Sequence, residues 1–172
     1  GDGIAMAYRA GAKLKDLEFI QFHPTALDEK SSPQFLLSEA LRGEGAKLIN
    51  STGETFMKKY HPLGDLAPRD VVSRAIFREQ RKISTQKEVI EKIFLDLRPI
   101  KNFKQQFPLI YQTLIKKGFN PIKNPIPVTP VAHYSCGGIQ TDLDGKTNIK
   151  DLYAFGEVAY TGLHGANRLA SN

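Results

Sequence analysis

The sequence predicts an α+β fold. Strand-like and helix-like stretches follow one another without a regular strand-helix-strand alternation, which argues against a doubly wound parallel sheet. No Gly-x-Gly-x-x-Gly occurs in the 172 residues, so a nucleotide-binding core cannot be claimed from these residues alone. With 41% hydrophobic residues, ten Phe and six Tyr, the chain can bury one core and part of a second.

The elements follow in order. Small and apolar residues at helical spacing from Ile4 to Ala10, closed by Gly11, predict a short helix. Leu17 to Phe22 predicts a strand ending at His23-Pro24, because proline interrupts a ladder, and His23 would then stand at a strand terminus. A helical pattern starts near Gln34, contains Ser38 to Arg42 and breaks at Gly43-Glu44-Gly45. Ala46 to Asn50 and the turn Ser51-Thr52-Gly53-Glu54 predict a strand entering a hairpin. Pro68 suits the first position of a helix reaching about Lys82, with Val71, Val72, Ala75 and Ile76 as its apolar face. Val89 to Leu97 reads as a strand. Lys101 to Lys117 reads as an amphipathic helix closed by Gly118 and kinked or split at Pro108. Asn120 to Pro130, with four prolines in eleven residues, predicts a semi-rigid extended connection to another domain. Val131 to Thr141 then reads as strand, Asp144-Gly145 as a hairpin turn, and Leu152 to Phe155 as a short buried strand meeting Gly156-Glu157.

Composition excludes several classes. The one cysteine, Cys136, rules out an internal disulfide framework and a cysteine-clustered zinc site, and reads as a small packed side chain. No apolar run approaches the ~20 residues of a membrane-spanning helix, and no basic region with an apolar stretch opens the chain, so no membrane role and a cytoplasmic location are expected. Lys and Arg exceed Asp and Glu by 24 to 18, but the +6 excess is dispersed and not interleaved with aromatics, which argues against a nucleic-acid surface. A modest positive field also suits a dianionic substrate. The chain starts at Gly1-Asp2-Gly3 and stops at Ser171-Asn172 without a cap or breaker, so it is expected to be a fragment.

Arg69 stands out because a cation in the first turn of a helix opposes the backbone dipole by roughly 0.3 to 1 kcal/mol. Two readings are open: Asp70 neutralises it, or Arg69 and the helix start face an anion together. His23 and His133 each admit a backbone-bonded structural reading and a ligand reading. Strand alternation puts Val131, His133 and Ser135 on one face, where Gly137-Gly138 would leave room. His164, within Thr161-Gly162-Leu163-His164-Gly165, reads as a left-handed turn or a close cofactor approach, and His61, among lysines, as surface. Two histidines with Arg69 and Arg168 suit two carboxylates, since arginine offers a bidentate fork and histidine a tunable donor. The histidines lack metal-ligand spacing.

Three phrases occur in order: Glu18-Phe19-Ile20-Gln21-Phe22-His23-Pro24-Thr25, Leu37-Ser38-Glu39-Ala40-Leu41-Arg42-Gly43-Glu44-Gly45-Ala46, and Ala67-Pro68-Arg69-Asp70-Val71-Val72. In order and spacing they resemble the succinate dehydrogenase, fumarate reductase and L-aspartate oxidase flavoproteins. Ala132-His133-Tyr134-Ser135-Cys136-Gly137-Gly138 and Gly156 to Arg168 look specifically like the L-aspartate oxidases. The respiratory enzymes usually carry Asn-Met where Ser135-Cys136 stands, and lack the Tyr160-Thr161-Gly162 phrase.

This resemblance implies a capping domain over 18–130, flanked by FAD-binding domain segments 1–17 and 131–172. It implies a dicarboxylate site of Gln21, His23, Ser38, Glu39, His133 and Arg168, with Arg69 as proton donor or acceptor and Asp2 and Glu157 on FAD. Ser38 departs from the commoner Thr but keeps the hydroxyl. Ser171 and Asn172 would precede a further FAD-contacting stretch. The implied activity is FAD-dependent oxidation of L-aspartate to iminoaspartate for NAD biosynthesis, with fumarate or oxygen reoxidising the flavin and quinolinate synthase as a contact partner. The isolated fragment is expected to be inactive. A succinate or fumarate flavoprotein and a non-catalytic dicarboxylate-binding module are the competing readings.

Overall fold

Buried side chains gather in two places. The computed structural model describes residues 1–30, 33–81 and 90–169. It divides into one unit of Gly1–Phe22 with Ala132–Asn172 and a second of His23–Val131.

The second unit holds the larger core, which includes Leu41, Leu48, Phe56, Val72, Ile76, Leu95, Leu114 and Val128. Its sheet has the order β2-β5-β4-β3, from β2 (Ile20–Leu27), β3 (Lys47–Ile49), β4 (Ile93–Asp96) and β5 (Ile126–Ser135). β4 is central: Leu95 faces Leu48 on one side and Ile126 on the other, both antiparallel. Alternation sends Ile93 and Leu95 into the core while Phe94 and Asp96 stay half-buried.

Among the helices, α2 (Ala40–Gly43) is a single turn. α3 (Arg69–Gln80) buries Val72, Ser73, Ala75, Ile76 and Glu79, a stripe at helical spacing, with Val71 half-buried against the same core. Pro68 stands one position earlier than expected, as the N-cap. Pro108 splits the next helical stretch as expected. α4 (Phe103–Gln106) ends before it, and α5 (Pro108–Lys116) begins on it, where its missing N–H is harmless. Phe103 joins the two halves, 5.8 Å from the Phe107 ring and 6.3 Å from Tyr111.

Three expectations give way to tertiary pairing. β2 does not stop at His23 but runs on through Pro24 to Leu27. Beyond the proline its backbone pairs with a loop strand, Leu27 N–H to the Phe35 carbonyl and Leu37 N–H to the Thr25 carbonyl. That pairing keeps residues 34–37 extended, so the helix expected from Gln34 begins only at Ala40. The proline-rich 120–130 stretch is not wholly a linker, since β5 starts at Ile126 and contains Pro127 and Pro130. Pro127 turns its carbonyl to Asp28 N–H on the β2 side, leaving its neighbours to face β4. Val89 and Lys82, expected at element ends, lie outside the described residues; β4 begins at Ile93 and α3 ends at Gln80.

The first unit is built on α1 (Asp2–Arg9) and a sheet of order β1-β6-β7, from β1 (Leu14–Lys15), β6 (Gly138–Gln140) and β7 (Ala159–Tyr160). β1 pairs antiparallel and β7 parallel to β6. The core is small: Ala7, Ala12, Ile139 and Ala154, with Leu14, Ile149, Leu152, Val158 and Ala159 packed around it. Cys136 is buried as a small packed side chain. The Asp144-Gly145 turn forms as expected, with Gly145 at φ 76° and the Asp142 carboxylate accepting from the N–H groups of Asp144 and Lys146. The stretch Leu152 to Phe155 is not a buried strand: it makes one bridge, Tyr153 to Lys146, and leaves Tyr153 and Phe155 exposed. Gly137 and Gly138 do not leave open space. A Cβ on the first would overlap the Asp16 carbonyl and on the second the Val158 carbonyl, so both exist for close backbone approach.

Candidate functional site

In the unit His23–Val131, α3 starts at Arg69 directly after the Pro68 cap, which aims a guanidinium along the electropositive end of a three-turn helix. Arg69 Nε donates to Glu39 Oε2 at 2.7 Å, and only 10% of the Arg69 side chain is exposed. Asp70 pairs with Arg74 one turn on. Glu39 reaches a second guanidinium, Arg42, whose Nη2 lies 3.9 Å from Oε1. Arg42 is 2% exposed, and its Nη1 donates to the Asp65 carbonyl at 2.5 Å. The Asp65 carboxylate in turn accepts from Leu48 N–H at 2.9 Å, beside the Lys47 ammonium. Burial pulls the Arg42 pKa below the usual guanidinium value; Glu39 and Asp65 oppose that shift, and Arg69 adds to it.

Arg42 and Asp65 were not singled out from the sequence. The Glu39/Arg42 spacing of three, one face of a helix, was the available signal for Arg42. Nothing local marks Asp65. His23 is 3% exposed within β2, and its Nδ1 lies 3.3 Å from the Thr25 N–H. Ser38 is exposed, and its Oγ accepts from Ala40 N–H at the start of α2. His61 is half-buried, with Nδ1 accepting from Leu63 N–H, so it is less of a surface residue than expected.

In the other unit, the Gln21 amide donates to the Arg168 carbonyl at 2.5 Å and to Asn167 Oδ1 at 2.8 Å. Arg168 Cζ lies 4.3 Å from the Tyr134 ring centroid, and its buried Nε has no hydrogen-bond partner among the described residues. His133 is half-buried beside that tyrosine, ring centroids 6.5 Å apart. Gly162 and Gly165 both take positive φ around His164, so the left-handed turn expected there forms.

The same unit carries an open pocket of about 980 Å³ lined by Gly1, Gly3, Tyr8, Ile20, Ser135 and Glu157 together with aliphatic side chains. The volume is that of a cofactor-sized pocket. Glu157 Oε1 accepts from Ser135 N–H at 3.0 Å, while Asp2 sits exposed in the first turn of α1. A largely apolar lining suits a flat ring system, Gly1 and Gly3 in that lining allow close approach of a ligand to the backbone, and an exposed carboxylate can accept from sugar or ribityl hydroxyls. The residues present therefore fit FAD.

The family described as FAD binding domain matches residues 1–172. The chain is 54% identical, over its whole length, to the L-aspartate oxidase of Synechocystis and 50% identical to that of Yersinia pestis, covering 31% and 32% of those proteins. It thus spans about a third of the length of these relatives. Among solved structures, an E. coli quinol fumarate reductase flavoprotein matches 99% of the chain and 32% of its own, at TM-score 0.85 and 41% identity. Sdh1 of Mycobacterium smegmatis matches 99% of the chain and 29% of its own, at TM-score 0.72 and 37% identity. Among the described residues no helix is long and apolar enough to cross a membrane. The chain therefore belongs to the FAD binding domain family, as part of an L-aspartate oxidase-type flavoprotein of the succinate dehydrogenase and fumarate reductase superfamily.

Proposed function

We propose that this chain is the portion of an L-aspartate oxidase that caps and clamps the substrate. In this reading residues 18–130 form the capping domain, and 1–17 with 131–172 belong to the FAD-binding domain. The reaction is the oxidation of L-aspartate to iminoaspartate, the entry step of NAD biosynthesis, in the cytoplasm. The observation that carries the reading is Arg69 at a helix start, held by Glu39 with the buried Arg42 behind it. The Glu39 carboxylate between them answers both guanidinium charges. The identity of 54% to an L-aspartate oxidase, with the Ser135-Cys136 and Tyr160 to Leu163 phrases, favours aspartate over succinate.

Gln21, His23, Ser38, Glu39, His133 and Arg168 are the dicarboxylate ligands that the family resemblance implies and that we propose for this chain. Arg168 offers a bidentate fork with an unpaired buried Nε, and His23 and His133 supply single donors. FAD, when bound against Glu157 and Asp2, would supply the acceptor for the Cα hydride. Arg69 serves as an electrostatic clamp on the substrate and as the proton donor or acceptor that the family resemblance implies, with the Glu39 carboxylate accepting from its Nε. The flavin would be reoxidised by fumarate or oxygen, and quinolinate synthase would receive the unstable product.

The test is the full-length flavoprotein assayed with L-aspartate against succinate, alongside Arg69→Lys and Arg69→Leu. Aspartate turnover that collapses in the leucine variant is expected. Turnover of succinate without aspartate, or near-normal activity of Arg69→Leu, would sink the reading.

A further inference from the structure

We infer that Tyr134 is a positioning residue whose ring face, steered by His164, sets the plane in which Arg168 presents its guanidinium to the dicarboxylate. The inference rests on the reading of Arg168 as a substrate clamp. Arg168 Cζ lies over the Tyr134 ring, 4.3 Å from its centroid. At that range the ring quadrupole attracts the cation, and the planar guanidinium is restrained where a flexible ammonium would not be.

Tyr134 is itself restrained. Its ring meets His164 edge to face, centroids 5.6 Å apart at 84°, with Tyr134 Oη 3.5 Å from His164 Nε2. The other end of Arg168 is fixed independently, because the Gln21 amide holds its carbonyl at 2.5 Å. Backbone and guanidinium are thus pinned from separate sides.

What is left unpaired completes the argument. Arg168 Nε is buried and has no hydrogen-bond partner among the described residues. With Cζ over the ring and Nε unanswered, that donor stays available to a carboxylate. A buried donor of this kind is destabilising until an acceptor arrives. A ring that restrains the cation beside an unanswered donor is the arrangement that a pre-oriented carboxylate clamp requires.

The test uses the full-length flavoenzyme with Tyr134→Phe, Tyr134→Leu, Arg168→Lys and the double variant Tyr134→Leu/Arg168→Lys. FAD content and the KM and kcat for L-aspartate are measured in each. Tyr134→Phe keeps the ring and is expected to keep KM within about twofold. Tyr134→Leu is expected to raise KM by about 5- to 30-fold at unchanged FAD content, the range of a desolvated cation–π contact. In the Arg168→Lys background the same leucine change is expected to cost less than threefold, roughly, since the fork it orients is gone.

If Tyr134→Leu does not accumulate as flavoprotein, Tyr134→Met, close in volume and without a π face, carries the same expectation. An unchanged KM in the leucine or methionine variant, beside a raised KM in Arg168→Lys, would overturn the positioning role alone. So would Tyr134→Phe as damaging as Tyr134→Leu, or fully additive effects in the double variant. An Arg168→Lys enzyme with unaltered KM would overturn the substrate-clamp reading, and the positioning role with it.

Discussion

Glu39→Gln isolates the charge between the two guanidinium groups while keeping the side chain's size. At an effective dielectric near 20, the 2.7 Å contact to Arg69 and the 3.9 Å contact to Arg42 carry gross Coulomb energies of about 6 and about 4 kcal/mol. Most of this is offset by desolvation, above all of Arg42, whose side chain is 1% exposed. Removing one partner of a buried pair typically costs about 3 to 5 kcal/mol. Glu39 is 34% exposed, so solvent screens the loss, and the Asp65 carbonyl still accepts from Arg42. A net destabilisation of about 2 kcal/mol follows, a fall in Tm of roughly 4 to 8 °C for a chain of this size. The matched control is Arg74→Ala, which breaks an exposed pair on the same helix and should cost less than about 0.5 kcal/mol. Thermal unfolding by circular dichroism at pH 7 compares them. If Glu39→Gln were as mild as Arg74→Ala, the carboxylate would not be compensating a buried charge.

Two further changes test the packing around the site. The Tyr60 phenol, half-buried and donating to Glu79, has its pKa pushed up to about 12 by desolvation and by that bond. Because the folded value lies above the ordinary one, this contribution to stability is intact below pH ~10 and is lost as the pH rises toward 12. Ultraviolet titration should show a late phenol step near pH 12 that Tyr60→Phe removes and Glu79→Gln moves down; a titration curve unchanged in Tyr60→Phe would contradict this. Gly137→Ala must displace the Asp16 and Lys15 carbonyls and should destabilise by about 1 to 3 kcal/mol, whereas Gly43→Ala, with open space around it, should be neutral or slightly stabilising. Equal melting temperatures for the two variants would mean the backbone approach at Gly137 is not tight.

What could be read from the sequence was what is local. Pro108 split its helix, Gly118 closed it, and Asp144-Gly145 made its turn, because each depends on one residue's dihedral preference. β2 and β5 were misread at their prolines because a strand's length is decided by its neighbours: Thr25 and Leu27 are held by Leu37 and Phe35, and Pro127 offers Asp28 a carbonyl. Arg69 was conspicuous for a local reason, its place against the helix dipole. Its partner was not, since Glu39 lies thirty residues away and nothing at Asp70 points to it.

The environments of Arg42 and Arg168 differ in a way that bears on their roles. Arg42 is nearly inaccessible, with its charge answered by Glu39 and Asp65, so it can tune the groups in front of it but is poorly placed to touch a ligand. Arg168 has its carbonyl secured and its guanidinium set over an aromatic face, yet no carboxylate side chain answers its charge among the ion pairs of the described residues. A cation compensated by the protein contributes to the fold; a cation restrained but left uncompensated is one whose counter-ion comes from outside. By that criterion a dianion should protect the surroundings of Arg168. Succinate added to the full-length flavoprotein should therefore slow hydrogen exchange around Tyr134 and Arg168 by more than tenfold or so at saturating concentration. Unchanged exchange there at saturating succinate would show that Arg168 does not take its counter-ion from the ligand.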